Sequence, residues 1–305
     1  MFNMFDLYNH GLKGALYDEQ KTNEFLATLP YPLFKDVNTL FADGKGKLSL
    51  PWKAAQKFYP TFGEDEAQLT GDCVSHGNKN AGDVTRAFEI IYSGEKESFV
   101  ARGATEGIYG YRGHGGQGMF GHQAIEFLTK TGGVLLRQNY SEANVDLSKY
   151  DAKKGVEWGR SGVPKKLLEQ GKKNQFKTAS LVTTVEEARD LLANGYGLPV
   201  CSNYGFGNKR DKFGIAEANG TWHHCMMFGG CDDTKKRANE TLFLVINSWG
   251  PDWISGPKFE QPEGSFWIRE KVAAAMLAQK QSYALSNFDG FKRQMDWTRI
   301  KEIYQ

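Results

Sequence analysis

Three segments of the sequence carry residues that could form a nucleophilic site: GDCVSHG at 71–77, WHHCMMFGGCDD at 222–233 and FLVINSWG at 243–250. A thiol is a strong nucleophile only as the thiolate, and a helix N-terminus and an imidazolium partner both stabilise that anion. An asparagine oxygen can fix an imidazole by accepting a hydrogen bond from its ring N–H, without adding charge. Cys73, one of the neighbours His223 and His224, and Asn247 therefore predict a thiol nucleophile with an oriented imidazole base.

The pattern that follows Cys73 places this cysteine at a helix N-terminus. Within 74–91, apolar residues recur on one helical face, although two glycines weaken the pattern. The residues on that face are Val84, Ala87, Phe88 and Ile91. We therefore expect Cys73 to be a stabilised thiolate that iodoacetamide labels ahead of the other cysteines.

Helical patterns precede strand patterns along the chain. A helix is indicated at 124–128, ahead of Gly132 and Gly133, and another begins at Thr184 in a capping box with Glu187. Short apolar runs bounded by Gly, Asn, Asp or Pro then indicate strands. These runs are 198–202, 224–228, 242–247 and 265–269. The segregation predicts an α+β protein with a helical lobe, a sheet lobe and a cleft between them.

Composition and charge exclude several classes of partner. The chain has 305 residues and 40% hydrophobic content, enough for one large domain or two lobes. A formal net charge of +2 gives no global field that favours nucleic acid or an anionic membrane.

The cysteines form no C-x-x-C pair, and we expect neither a metal nor a cofactor. Cys201, Cys225 and Cys231 are expected to be free, reduced and structural.

No export or membrane signal is recognised. Asp6 and His10 interrupt the apolar core that a signal peptide needs, and no basic start precedes them. The apolar run 242–246 is far shorter than the roughly 20 residues that cross a bilayer. We expect a cytoplasmic or virion-associated protein with no membrane partner.

The other histidines and one polar stretch are expected to lie outside the site. We expect His10, His114 and His122 to be surface or structural residues, and 165–177 to be a solvated surface segment.

The motifs resemble a known family. VINSWGPDW followed by EGSFWIRE closely resembles the Asn-Ser-Trp-Gly segment and next strand of papain-like cysteine peptidases. HHCMMFGG resembles their catalytic histidine strand, and Gly230 follows His224 at the family's spacing. GHGGQGMFGHQAIEFLTKTGGVLLRQNY is similar to their Gly-rich cleft segment, helix and tyrosine-bearing strand. The resemblance covers 68–272. His224 follows Cys73 by 151 residues, close to the roughly 130–150 of the family, and Asn247 follows His224 by 23.

This resemblance implies a papain-like two-lobed fold and a triad of Cys73, His224 and Asn247 that hydrolyses peptide or isopeptide bonds in polypeptides. It implies supporting roles as well. Gln68 is the candidate oxyanion-hole glutamine, although it lies one residue closer to the nucleophile than in the family. Trp249 would shield the triad's Asn–His hydrogen bond from water.

Substrate backbone would approach closely at Gly115 and Gly116, or these glycines would form a surface loop. Val74 stands where papain has Trp, and the family's neighbouring disulfide cysteines are absent, as in divergent bacterial and bacteriophage members. A shifted register would align Cys73 with a structural cysteine of the family. His76 would then stand at the nucleophile position, which gives an inactive protein.

The predicted organisation is an N-terminal extension at 1–62, a helical lobe with the nucleophile at 63–180 and a sheet lobe with the histidine and asparagine at 181–305. No propeptide signature is recognised before Cys73, so activation by propeptide removal is not expected. Two functions stay open. The chain is a thiol peptidase, or it is a papain-fold structural or interaction component of a larger assembly, such as a bacteriophage particle, with little or no activity.

Overall fold

A computed structural model of the chain describes residues 3–37, 42–93 and 101–293, and they form an α+β protein as predicted. The helices are α1 (Met4–Asn9), α2 (Glu19–Leu26), α3 (Phe34–Val37), α4 (Trp52–Phe58), α5 (Cys73–Ser93), α6 (Glu106–Gly110), α7 (Gly121–Glu126), α8 (Ala152–Ser161), α9 (Lys165–Gly171), α10 (Val185–Ala193) and α11 (Glu270–Leu277). The strands are β1 (Ala15–Leu16), β2 (Leu48–Ser49), β3 (Met119–Phe120), β4 (Asn139–Tyr140), β5 (Val145–Asp146), β6 (Thr178–Leu181), β7 (Leu198–Arg210), β8 (Ala216–Asp232), β9 (Leu242–Ile246), β10 (Phe266–Arg269) and β11 (Tyr283–Ser286).

Helix α5 begins at Cys73, as the sequence predicts, and is buried along most of its length. Its apolar face packs into a core cluster whose members include Val84, Phe88, Trp52 and Trp267. The predicted helices after it are confirmed too. Helix α7 continues as a π-helical turn to Gly132, and α10 begins with the Thr184 capping box.

The sheet lobe contains an antiparallel sheet in the order β10-β9-β8-β2, in which β7 also pairs with β8. The four predicted strand runs lie in β7, β8, β9 and β10. In this sheet Cys201 lies opposite Cys225, and Met227 lies opposite Ile246. Strand β8 therefore lies between β7 and β9, and its inner face is turned towards α5.

A glycine lies at the contact between α5 and β8. A Cβ added to Gly77 would lie 2.9 Å from Cys225 Sγ and 2.9 Å from the Met226 carbonyl oxygen. Any larger side chain would push the helix away from the strand. The glycine that weakens the helical pattern therefore brings the first turn of α5 close to the strand that carries His224.

Residues before Gly63 form part of both lobes. Strand β1 pairs in parallel with β3 in the helical half, and β2 extends the main sheet along β8. Trp52 is buried in the core cluster around α5. The expected extension at 1–62 thus contributes strands and core side chains, while the domain boundaries themselves stay a prediction.

The stretch 165–177 is largely exposed or half-buried, as expected for a solvated surface segment, and it contains helix α9 and a following 3₁₀ turn. Its composition is polar, but Leu167 is fully buried and Gly171 packs against the carbonyl of Gly132. A few apolar positions were enough to anchor this polar segment.

None of the described helices is long and apolar enough to cross a membrane.

Substituting Gly77 tests whether the close helix–strand contact is required. Gly77→Ala should lower the free energy of unfolding by about 1–3 kcal/mol, the usual cost of overpacking, even though alanine favours helix. Gly121→Ala is the control, because its added Cβ meets atoms at 3.6 Å or beyond. Urea unfolding of both variants gives the comparison, and equal stability of the two would contradict the close contact.

Candidate active site

Cys73 lies at the start of α5 with its sulfur against strand β8. The backbone N–H of Cys225 donates to Cys73 Sγ at 3.3 Å, and Cys73 is fully buried. His224 is the residue before Cys225, so the thiol and this imidazole are carried by touching elements.

His224 is fixed by Asn247. His224 Nε2 and Asn247 Oδ1 are 2.8 Å apart, and both side chains are buried. Trp249 covers the imidazole, with ring centroids 4.8 Å apart and planes tilted by 31°. This bond makes Nε2 the donor, because the amide oxygen can only accept. His224 Nδ1 is buried and has no hydrogen-bond partner among the described residues, so this nitrogen is available to take a proton.

The two adjacent histidines point to different surroundings, as expected. His223 has a left-handed backbone conformation with φ of 49° and is partly exposed, whereas His224 is fully buried. The His223 side chain lines a cavity with Ser202 and Gln279, and its carbonyl faces the cleft. The structure therefore brings His224, and not His223, to Asn247.

Gln68 is held by the residue after Asn247. Ser248 Oγ donates to Gln68 Oε1 at 2.5 Å, and the Gln68 backbone N–H donates to the Ser248 carbonyl at 2.7 Å. Gln68 Nε2 donates to the Thr70 carbonyl at 2.8 Å. These bonds fix the amide orientation, with the oxygen on Ser248 and the NH₂ group on the other side. Ser248 was not identified from the sequence.

The N-terminal segment, residues 3–17, covers this site, which the sequence did not reveal. The Tyr8 ring lies 4.5 Å from the His224 ring and 5.2 Å from the Trp249 ring, measured between centroids. Tyr8 is completely buried, and its hydroxyl has no partner of ordinary hydrogen-bond geometry. That hydroxyl lies next to both the Cys73 thiol and the Gln68 amide. It therefore occupies the space between the thiol and this amide.

Helix α1 is held on an aromatic wall beside the site. Phe5 packs against Trp222 and Trp253, with centroid distances of 6.0 Å to each. Trp222 Nε1 donates to Asn9 Oδ1 at 2.8 Å. Tyr8 is therefore held in place by contacts on both sides of it along the helix.

After α1, the chain passes in front of the thiol at Gly14. Gly14 N–H donates to the His223 carbonyl at 3.1 Å, and the Gly14 carbonyl accepts from the Met119 N–H at 3.0 Å. A Cβ on Gly14 would lie 2.0 Å from Tyr8 Oη and 2.5 Å from Cys73 Sγ. Only glycine fits between these atoms, so the segment occupies the cleft with its backbone bonded to both walls.

Burial beneath this segment keeps the Cys73 thiol and the His224 imidazole uncharged. Burial raises the pKa of the Cys73 thiol far above its usual range, and the neighbouring Tyr8 hydroxyl offsets this only in part. For His224 burial has the opposite effect and lowers the pKa to about 3, although the hydrogen bond to Asn247 favours the charged ring. The intact chain therefore holds a neutral thiol and a neutral imidazole. Burial therefore disfavours the thiolate expected from the sequence, and the fast labelling of Cys73 stays a prediction.

Asp72 and His76 form a separate buried group on either side of Cys73 in the sequence. Tyr150 Oη donates to Asp72 Oδ2 at 2.7 Å, and His76 Nε2 lies 3.4 Å from the same oxygen. His76 is thus turned towards Asp72. Cys73 lies against Cys225 and Tyr8 instead.

The glycines assigned to the cleft lie beside it. Gly115 packs against the Arg160 side chain, and the Gly116 carbonyl accepts from Arg112. The backbone that pairs with the N-terminal segment belongs to β3, which follows these glycines. Cys201, Cys225 and Cys231 are free and fully buried in β7 and β8, as expected.

No metal-binding group of three or more His, Cys, Asp or Glu side chains occurs in the part of the chain that the structure describes.

Known proteins match this chain by structure and not by sequence. No family model matches it, and no curated protein matches it. Xylellain, a cysteine protease from Xylella fastidiosa, is 15% identical, with a TM-score of 0.53 over 90% of this chain and 91% of that one. The fold is papain-like. Procathepsin B S9 from Trypanosoma congolense is 14% identical, with a TM-score of 0.49 over 92% of this chain and 87% of that one. Digestive procathepsin L 3 from Tenebrio molitor is 11% identical, with a TM-score of 0.46 over 92% and 85%.

Gly14→Ala tests whether the N-terminal segment closes the site. The new Cβ collides with Tyr8 Oη and Cys73 Sγ, so the segment should lift and Cys73 should become reactive. Iodoacetamide should label Cys73 at least about 10-fold faster in the variant, because a buried thiol is protected from alkylation. Mass spectrometry of the labelled peptide gives the rate.

Gly207→Ala is the matched control, since its added Cβ meets only the Glu217 carbonyl at 4.0 Å. It should label as slowly as the unmodified chain. Fast labelling of the unmodified chain would show that the segment does not close the site.

Proposed function

We propose that the chain is a papain-like cysteine peptidase, held inactive in its intact form by the N-terminal segment. The nucleophile is Cys73, the base is His224, and Asn247 orients the base. The observation that carries this proposal is the buried bond between His224 Nε2 and Asn247, which leaves Nδ1 without a partner on the strand that touches the thiol. A purely structural pair of side chains would have no need for that unsatisfied nitrogen.

The geometry supports acyl transfer once the segment has left. The Cys73 proton passes to His224 Nδ1, and the thiolate attacks the carbonyl carbon of the substrate. The negative charge on the carbonyl oxygen is stabilised by Gln68 Nε2 and the Cys73 backbone N–H. The imidazolium gives its proton to the leaving amine, so the C–N bond breaks and a thioester remains.

Hydrolysis of the thioester completes the cycle. Water enters where the amine left, His224 takes one of its protons, and the hydroxide adds to the thioester carbon. Collapse releases the carboxylic acid and the Cys73 thiol. Asn247 keeps the imidazole in one orientation through both steps, and Trp249 covers the ring on one face and keeps water from that side.

The expected substrate is a polypeptide, cleaved at a peptide or isopeptide bond. The cleft binds an extended backbone in the structure, because Gly14 bonds to the His223 carbonyl on one wall and to the Met119 N–H on the other. A substrate could use the same two backbone groups after displacing the segment. Xylellain, whose fold this chain shares, is a cysteine protease.

The second candidate is a papain-fold structural or interaction component with little or no activity, as in a bacteriophage particle. Burial of Cys73 beneath Tyr8 favours it, because the site of the intact chain is closed and uncharged. The two candidates differ in what happens when the segment is displaced. A peptidase gains activity, and a structural component does not.

Nucleophile replacement separates these candidates. In the full-length chain carrying Gly14→Ala, a fluorogenic peptide library should be hydrolysed. Adding Cys73→Ala should reduce that rate by at least about 10⁴-fold, since no other group replaces the nucleophile. Cys231→Ala is the matched control, a buried thiol outside the site, and should keep the activity. If hydrolysis is absent while Cys73 is accessible, the structural candidate takes its place.

Replacing the orienting residue should have a smaller effect. Asn247→Ala in the Gly14→Ala background should lower kcat/KM by about 10²-fold, near the lower end of what acid–base catalysis contributes. The thiol remains, but the imidazole is no longer held. Steady-state kinetics on the best library substrate give the value. A loss as complete as that of Cys73→Ala, or no loss, would argue against an orienting role.

A further inference from the structure

The backbone is strained two residues before Gln68. Glu66 has φ of 58°, in the left-handed region that a long side chain rarely adopts. Such a conformation persists only where the surroundings impose it, and it is found most often near functional sites. Glu66 sets the direction in which the chain continues to Gln68, so whatever holds Glu66 also determines where Gln68 begins.

Glu66 is held by two buried cations. Its carboxylate oxygens lie 2.9 Å from Lys79 Nζ and 2.6 Å from Arg137 Nε. The side chains of Lys79 and Arg137 are 1% and 3% exposed, and that of Glu66 is 14% exposed. Arg102 lies farther away, at 3.9 Å. Burial opposes the carboxylate charge, but these cations outweigh it and hold the pKa of Glu66 far below its usual range.

The partners of Glu66 come from the elements that carry the nucleophile. Lys79 is on α5, the helix that begins at Cys73. Arg137 also pairs with Glu106 at the start of α6, at 2.6 Å. Glu66 therefore ties the loop before Cys73 to the framework of the helical lobe, as a bidentate buried anchor.

Gln68 has a second anchor on the other lobe. Its side-chain oxygen and backbone N–H both bond to Ser248, which follows Asn247. Ser248 fixes how the amide is turned, whereas Glu66 fixes the path of the backbone that delivers it. The amide nitrogen reaches the space next to Cys73, now filled by the Tyr8 hydroxyl, only if both anchors hold.

We propose that Glu66 is a positioning residue for catalysis: its ion pairs with Lys79 and Arg137 hold the strained turn that places the Gln68 amide in the oxyanion hole. This inference rests on the proposed peptidase function. Glu66 touches neither the thiol nor the substrate and acts only through Gln68. Its loss should therefore weaken carbonyl addition without changing the nucleophilicity of the thiol.

Two reactions of the same sulfur distinguish these effects. Hydrolysis of a peptide builds negative charge on a carbonyl oxygen, which the oxyanion hole must stabilise. Alkylation by iodoacetamide displaces iodide from carbon and forms no oxyanion. In the full-length chain carrying Gly14→Ala, Glu66→Gln should lower kcat about 10²-fold, the loss typical of one oxyanion donor. The rate of Cys73 alkylation and its pH profile should stay within about 2-fold.

Asp83→Asn is the matched control for damage to the ion cluster. Asp83 shares one of these cations, at 4.0 Å from Lys79, and lies 3.8 Å from the neighbouring Arg102. It belongs to α5 and does not direct the chain to Gln68. This variant should lower the melting temperature as Glu66→Gln does, and leave both hydrolysis and alkylation unchanged.

A double-mutant cycle with Gln68→Ala completes the test. If Glu66 acts through Gln68, Glu66→Gln should have no further effect on kcat in the Gln68→Ala background. Multiplied losses would overturn the proposal and leave Glu66 as a stabilising residue only. Should Glu66→Gln fail to fold, Glu66→Asp, which keeps the charge on a shorter side chain, enters the same cycle with the same expected non-additivity. A Gly14→Ala parent that alkylates rapidly but hydrolyses nothing would instead overturn the peptidase function, and this inference with it.

Discussion

Helix α5 can carry a thiol to the strand of His224 only because the two elements touch at a glycine. With Gly77 at the contact, the helix comes close enough for the Cys225 backbone N–H to reach the Cys73 sulfur. The imidazole, its asparagine and the covering indole are then fixed by the sheet behind it. The relative position of the thiol and the imidazole therefore depends on how closely one helix lies against one strand.

The charge states of Cys73 and His224 depend on how far the two side chains are shielded from water, and not only on their positions. A thiolate and an imidazolium form a stable pair only if the solvent or the protein compensates their charges. Beneath Tyr8, burial shifts the pKa values of Cys73 and His224 in opposite directions, and both groups become neutral. On the proposed function, the same side chains form an inert site while the N-terminal segment lies over them and a reactive site once it is displaced.

Local sequence determines the parts of the site that are local. Cys73 at a helix start, the Thr184 capping box and the strand that ends at Asn247 depend on residues within a few positions of one another, and the structure has them where they were predicted. Family resemblance led from these to His224. The orientation of its ring by Asn247 then follows from pairing within one sheet.

Contacts between residues that are far apart along the chain could not be predicted from the sequence. Tyr8 lies far from Cys73 along the chain, and a tyrosine in a short helix has no pattern that indicates an active site as its partner. The ion pair of Glu66 with Arg137 spans 71 residues, and its strained backbone is visible only in three dimensions. The polar composition of α9 correctly indicated an exposed segment, but the close approach of Gly171 to Gly132 depends on a residue far away in the chain.

Because the covering segment belongs to the same chain as the site, closure is unimolecular. Dilution cannot release it, and any molecule that enters the cleft from solution competes against a tethered ligand whose effective concentration is roughly in the millimolar range. The hydrogen bonds of Gly14 to both walls of the cleft then contribute to the free energy that a competing ligand must exceed. Ligands that bind weakly leave the site closed, whereas a single cut in the tether would turn the covering segment into an ordinary, dissociable ligand.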